Sequence, residues 1–442
     1  MIPVSTRELA ELCGGESDVD APIAGVSIDS RTIRPGELFI ALRGSRLDGA
    51  AFVDDALAAG AVAALVPADA AGPGRIGVPD PLAALGVLAA EVRRRSRARV
   101  VAITGSTGKT STKDILAALI APHRRVLASR ANENNELGMP LSLCGLEPDT
   151  EVAVLELGMR GAGHIAYLAG IARPDVAIIT GIGPVHLELL GSVEAVAAAK
   201  AELLAELRTG ATAVVPCGEP LLAPYLDLPS GVTLRCFGEE PEADVRLAAF
   251  DRARRSATLV VDGAEFEVAV PFSQHHNALN LAAAAAAFQA LGLPLERLGD
   301  GAPAIALSRW RGEERPLPGG GVLVADCYNA NPTSMRAALA HLVALAEGRR
   351  TVAVLGEMAE LGPQAGRYHA EVGAAARELG VDLLVGIGPL AAAYGGLELA
   401  GVEDAAPALR DLIRPGDAVL VKGSRAAGLE ALLDELLGAA AR

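Results

Sequence analysis

Val100-Val-Ala-Ile103 runs into Gly105-Ser-Thr-Gly-Lys-Thr-Ser111 and on into Asp114-Ile-Leu-Ala-Ala-Leu-Ile120, and no other stretch constrains the chain as strongly. The apolar, β-branched run reads as a buried strand. Gly105 and Gly108 supply a tight turn with no Cβ to block a ligand, and the residues after it have helix-forming composition. A strand, a glycine turn and a helix start together aim several backbone N–H groups and a positive dipole end at one point, which makes a phosphate cradle. The strict pattern G-x-x-x-x-G-K-[ST] asks for glycine where this chain has Ile103, so the match is to a shortened form. In that form Gly105, Ser106, Thr107, Gly108, Lys109, Thr110 and Ser111 are candidate ATP contacts. Lys109 is placed for the outer phosphates and the Thr110 hydroxyl for Mg²⁺.

The rest of the chain is organised to suit such a site. At about 150 residues per domain, 442 residues suggest three domains, expected at 1–97, 98–312 and 313–442. A formal charge of −15 disfavours a nucleic-acid partner or stable membrane association. The five cysteines form no C-x-x-C pair, so neither zinc nor a disulfide framework is indicated and a reducing compartment is expected. With no signal layout and no apolar run of membrane-spanning length, the reading is a soluble, cytoplasmic protein.

Residues 1–97 hold short strands around Ala24–Arg31 and Glu37–Gly44, a helical run at Phe52–Gly60 and a strand at Ala61–Val66. They end on Arg93-Arg-Arg-Ser-Arg-Ala-Arg99, which fits either a solvated helix end or a ligand contact. From 98 to 312 strands alternate with helices, which argues for a mostly parallel sheet. Ligands on such sheets gather at the carboxyl ends of the strands. Glu156 lies there, in the apolar run Val152–Leu157, and His186 and Glu188 follow the strand Val176–Thr180. A carboxylate and an imidazole near a phosphate cradle suit Mg²⁺ directly or through water, although a lone loop histidine is more often structural.

Lys200 is the unusual residue of the expected helix Ser192–Arg208. It shares an apolar face with Val193, Val196, Leu203, Leu204 and Leu207. Burial would lower its pKa, leaving it catalytic, carbamylated by CO₂, or snorkelling to the surface. A hairpin turning at Asp262-Gly263 precedes a helix near whose start Asn277 and Asn280 share one face. From 313 a second α/β unit places polar clusters after three of its strands, at Asp326–Pro332, Gly356–Glu360 and Lys422–Arg425. No G-x-G-x-x-G follows a strand here, so a dinucleotide is not indicated.

Together these residues resemble the Mur ligases of bacterial cell-wall synthesis over nearly the whole chain. The shortened turn, Asn134-Asn-Glu-Leu-Gly-Met-Pro140, Glu156, His186, Lys200 and His276-Asn-x-x-Asn280 match the family's central ATPase in order and spacing. Tyr328-Asn-Ala-Asn-Pro-Thr-Ser-Met335, Gly356-Glu-Met-Ala-Glu-Leu-Gly362 and Lys422-Gly-Ser-Arg425 resemble the member that adds the last amino acids. The resemblance implies three α/β domains: a small N-terminal substrate domain, a P-loop ATPase and a Rossmann-like C-terminal domain.

The same resemblance implies an ATP-dependent ligase, acting as a monomer, that joins D-Ala-D-Ala to a UDP-MurNAc-tripeptide through an acyl phosphate. Thr110, Glu156, His186 and a carbamylated Lys200 would hold two Mg²⁺, with Asn135 in the same centre. Arg311, Asn277, Asn280 and Asp326 would meet the nucleotide, and Asn329, Asn331, Lys422 and Arg425 the closing side of the site. Ser27, Asp29, Ser30, Arg31 and Asp48 would receive the uridine diphosphate end. Two positions depart from the family pattern: Ala50 stands where relatives often carry histidine, and Ala325 removes one carboxylate before Asp326. Alternatives are the ligase that adds the third residue, whose usual Asp-Asn-Pro-Arg is absent, a folylpolyglutamate synthetase, and a P-loop switch protein.

Overall fold

The computed structural model describes residues 1–44, 47–130 and 132–438. Its strands form three sheets in chain order. The first holds β1 (Gly25–Ser27), β2 (Glu37–Ile40), β3 (Ala63–Pro67) and β4 (Arg75–Val78), all parallel and in sequential order. Parallel pairing leaves the loops after β1 and β2 on one carboxyl edge, which brings Asp29 and Asp48 to the same end of the sheet.

The second sheet runs through β5 (Arg99–Thr104), β6 (Val126–Ala128), β7 (Val152–Glu156), β8 (Val176–Ile179), β9 (Thr212–Pro216), β10 (Thr233–Gly238), β11 (Val245–Asp251), β12 (Ser256–Val261) and β13 (Ala264–Ala269). The spatial order is β13-β12-β11-β10-β9-β8-β5-β7-β6. It is parallel from β6 to β11, and β12 and β13 close it as antiparallel strands. The expected hairpin is present: Asp262 (φ 50°) and Gly263 (φ 83°) are both left-handed, as a two-residue type I′ turn requires. On one face, the helix His275–Ala290 packs a wall of buried alanines, Ala282 to Ala287, close to the helix Lys109–Ile120.

The third sheet contains β14 (Glu313–Pro316), β15 (Val322–Asp326), β16 (Thr351–Leu355), β17 (Leu383–Ile387), β18 (Leu397–Leu399) and β19 (Ala418–Lys422). Its order is β14-β15-β19-β16-β17-β18, with only β14 antiparallel. The short edge strands β14 and β18 were not expected; each is too brief and too polar for an alternating pattern to stand out.

The basic run at the end of the first unit is in part the solvated helix end expected, with Arg94 and Arg97 exposed, but Arg93 and Arg95 are engaged by the protein. The helix Pro81–Arg95 ends there, and Arg93 donates to the carbonyls of Ala172, Ala98 and Arg173 and to Asp175 Oδ2 at 2.9–3.1 Å. Arg95 reaches Glu8 and the Pro3 carbonyl. The Arg93 guanidinium is thus a structural tie between the first unit and the second, and that of Arg95 a tie within the first. Gly86 on the same helix has no Cβ because one would lie 2.6 Å from Tyr167 Oη on the neighbouring helix.

Candidate active site

The phosphate turn closes as its sequence demands. Gly105 has φ 151° and Gly108 φ 80°. A Cβ on Gly105 would sit 1.9 Å from Thr180 Oγ1, and one on Gly108 2.5 Å from Asn280 Oδ1. Thr180 ties the turn to the end of β8, its hydroxyl donating to the Thr104 carbonyl at 3.2 Å and to the Thr107 carbonyl. Gly108 starts the helix Lys109–Ile120 without a side-chain cap, which leaves the first helical N–H groups to an anion.

Around the turn, the charged groups expected from the sequence converge. Lys109 Nζ donates to the Gly105 carbonyl at 2.8 Å, and its burial pulls its pKa down, against the attraction of Glu156. Glu156 is buried at the end of β7. It accepts from Thr110 Oγ1 at 2.7 Å and from Asn134 Nδ2 at 2.8 Å.

Lys200 is 2% exposed on the helix Val193–Ala205, among Val196, Ala197, Ala199, Leu203 and Leu204. It does not snorkel. Its amine forms no hydrogen bond or ion pair among the described residues, and burial, reinforced by Lys109, drives its pKa well below the usual lysine value. Removal from water disfavours the ammonium.

The C-terminal unit completes a cavity of about 550 Å³ over this centre. Arg311 lines it, stacked at 4.1 Å on the Tyr328 ring, with its Nε unpartnered among the described residues. Lys422, 2% exposed, binds Asp326 Oδ2 at 2.8 Å and the Asn329 carbonyl at 3.0 Å. Asn331 caps the helix Pro332–Ala346 and reaches across to the Ser106 carbonyl at 3.3 Å. His186 Nδ1 pairs with Glu360 of the C-terminal unit. Ser106, Thr107, Ser111, Asn280, Asn329 and Asp326 also line the space.

Three expectations place differently. Asn277 is fully buried behind the cavity wall, donating to Gln274 Oε1 and accepting from Asn280 Nδ2, so it supports Asn280 and does not face the cavity. Asn135 lines the cavity, but its Oδ1 is engaged by the N–H groups of Leu137 and Gly138, while its neighbour Asn134 touches Glu156. Arg425 points away, its guanidinium stacked at 4.6 Å on Trp310 and paired with Glu430.

The N-terminal set stands apart from the cavity. Asp29 binds Arg31 through both carboxylate oxygens, Ser27 Oγ meets Thr32, and Ser30 opens the 3₁₀ turn that Asp29 caps. Asp48 caps Ala50 and pairs with Arg43.

Residues missed by sequence reasoning are Asn134, Thr180, Tyr328, His276 and Glu360. All but Thr180 lay inside quoted motifs, but what they meet comes from other elements, as Asn134 with Glu156 and Glu360 with His186. Burial, with the nearby charges of His341 and Lys422, lowers His276 at the cavity wall to about 3.

An uncapped helix behind a glycine turn, a buried carboxylate beside it and a second α/β unit closing from above define a nucleotide-binding enzyme whose site is assembled between domains. Three family descriptions match: Mur ligase family, catalytic domain, over residues 22–121; Mur ligase middle domain over 103–288; and Mur ligase, glutamate ligase domain, over 310–425. The chain belongs to the Mur ligase family.

A protein of Synechocystis sp. named UDP-N-acetylmuramoyl-tripeptide–D-alanyl-D-alanine ligase is 36% identical, across 95% of this chain and 93% of its own. Proteins of that name from Bacillus subtilis and Escherichia coli are 32% and 34% identical across 99% of both chains. The crystal structure of MurF from Acinetobacter baumannii matches with a TM-score of 0.90 at 32% identity, covering 98% of this chain and 99% of that one. MurF ligase from Thermotoga maritima in complex with ADP matches at 0.83 and 29% identity, covering 93% and 96%.

Proposed function

We propose that this chain joins D-alanyl-D-alanine to the terminal carboxylate of UDP-N-acetylmuramoyl-tripeptide, converting ATP to ADP and phosphate in peptidoglycan precursor synthesis. The observation that carries the reading is the cavity itself. It brings the phosphate turn, Glu156 and Lys200 into one space with Arg311, Asp326 and Lys422. Similarity of 32–36% along the full length to ligases of that name supports it.

The chemistry follows from charge and position. The tripeptide carboxylate attacks the γ-phosphorus of ATP and ADP leaves, giving an acyl phosphate. The dipeptide amine then adds to the carbonyl carbon, and phosphate departs with the former carboxylate oxygen. Phosphoryl transfer draws mainly on positioning and charge neutralisation. The turn amides and Lys109 hold the outer phosphates, and Arg311 adds a guanidinium from the far side. Closure of the C-terminal unit excludes water, which would otherwise hydrolyse the mixed anhydride.

Mg²⁺ fits this centre. No three His, Cys, Asp or Glu side chains among the described residues converge as a cage, and Mg²⁺ typically takes one or two carboxylates and completes its shell with phosphate and water. Thr110 and Glu156 would hold one ion, whose charge offsets that of the phosphates; His186 and Lys200 would serve a second. An unprotonated amine is the form that reacts with CO₂, burial shifts Lys200 toward that form, and a carbamate there would supply an oxygen ligand. Ser27, Asp29, Ser30, Arg31 and Asp48 would take the uridine diphosphate end. The assignment of residues 1–97, 98–312 and 313–442 to substrate, ATPase and closing domains belongs to the same reading, as do a monomeric state and a cytoplasmic setting. Among the described residues no helix is long and apolar enough to cross a membrane.

Escherichia coli FolC in complex with DHPP and ADP, at 20% identity and a TM-score of 0.62, shares the fold alone. A nucleotide switch needs no amine acceptor. The test is ADP release with each substrate omitted in turn: sustained turnover is expected only with both tripeptide and dipeptide. Equal ADP release without the dipeptide would refute the ligase reading.

A further inference from the structure

The contact between His186 and Glu360 joins two units through two strained residues. His186 has φ 53° and Glu360 φ 63°, left-handed conformations that side chains other than glycine rarely keep unless their surroundings impose them. A second bond fixes the pair, since the Glu188 N–H donates to the Glu360 carbonyl at 3.1 Å. Next along the chain, a Cβ on Gly362 would lie 3.1 Å from Glu188 Cα, so the two loops meet backbone to backbone. His186 lies in the central unit and lines the cavity. Glu360 arrives from the loop after β16 in the C-terminal unit.

An ionised carboxylate only accepts hydrogen bonds. The imidazole nitrogen it touches, Nδ1, therefore carries the proton, and in the neutral ring Nε2 is left with its lone pair free for the cavity. Partners of this kind fix the tautomer and ring orientation of a histidine. We propose that Glu360 is a positioning residue that sets the tautomer and ring orientation of His186, so that the histidine is competent only while the C-terminal unit is docked. Docking would then act at the reacting end of the cavity as well as at the nucleotide end, and an open molecule would be poorly able to activate a carboxylate before the amine has a place to bind. The proposal rests on the ligase reading for its kinetic consequence, but not for the tautomer.

Two measurements separate these parts. In ¹⁵N-histidine NMR of the full chain, His186 of the wild type should show the Nδ1–H pattern, and Glu360→Ala should move it toward Nε2–H. An unchanged tautomer in Glu360→Ala overturns the proposal whether or not the protein is a ligase. In ligation assays Glu360→Ala should lose about 10–100-fold in kcat, as other orienting partners of histidine do, with the KM for ATP within about twofold because the phosphates rest on Lys109. Glu360→Gln, whose amide oxygen still accepts from Nδ1–H, should keep most of the rate. A kcat within twofold of wild type in Glu360→Ala, or an equal loss in both variants, would overturn the positioning role. Failure of the ligase reading would show instead as no wild-type turnover.

Discussion

Gly105→Ala isolates what the shortened phosphate turn requires. The added methyl would lie 1.9 Å from Thr180 Oγ1 and 3.1 Å from Thr180 Cβ and N, at φ 151°. Holding alanine in that region costs about 1–3 kcal/mol. Displacing the Thr180 hydroxyl loses its bonds to the Thr104 and Thr107 carbonyls, at about 1 kcal/mol each. The sum is about 3–5 kcal/mol, a factor of about a hundred to a few thousand in an equilibrium constant at about 1.4 kcal/mol per tenfold. If the turn holds its shape, the loss falls on folding stability; if the turn shifts, it falls on nucleotide affinity. Urea unfolding and calorimetric titration with ADP, run on the same samples, should together recover the total. Thr180→Ala removes the hydroxyl but leaves Cβ in place, so Gly105→Ala should cost about 1–2 kcal/mol less in that background, a coupling typical of residues in contact. A Gly105→Ala protein with unchanged stability and unchanged ADP affinity would refute the reasoning. So would strict additivity of the two substitutions.

Lys200→Ala should lose at least about 100-fold in kcat, the scale seen when one preorganised charge-stabilising group is removed, and bicarbonate or short carboxylic acids should restore part of the rate. Unaided wild-type activity in that variant would end the carbamate proposal. His276 is held at about 3 in the folded protein against an ordinary value of 6.5, so between those values the unfolded chain takes up a proton that the folded one refuses. Its share of stability is therefore whole above pH 6.5 and is lost as pH falls toward 3, with a slope of up to about 1.4 kcal/mol per pH unit. His276→Gln should flatten that acid limb in urea titrations, and an unaltered slope would count against it.

Local order carries most of what the sequence revealed. Strand, glycine turn and helix start are contiguous, so their register was readable from residues 100–120. Lys200 was legible because its face of the helix is otherwise apolar, and the structure buries it there. What the sequence hid lies between distant elements. The Glu360 carboxylate meets His186 across 174 positions, and nothing in either motif names the other. Arg425 sits in a motif whose Lys422 faces the cavity, yet three residues on, the chain has entered the short turn Arg425–Ala427 and its guanidinium finds Trp310 instead. Asn277 and Asn280 share a helix face as expected, but depth along that face puts only Asn280 at the turn. The basic run at Arg93–Arg99 reads as surface by composition, because the carbonyl acceptors that bury Arg93 lie some 80 residues further on.

The account stands on a carboxylate of the substrate becoming a mixed anhydride with the γ-phosphate in the cavity. Ligation with tripeptide labelled by ¹⁸O in its terminal carboxylate tests this directly, with the released phosphate analysed by mass. One labelled oxygen per phosphate is predicted, since the bridging oxygen leaves with phosphorus when the amine attacks carbon. Product formed at the normal rate with unlabelled phosphate would contradict it.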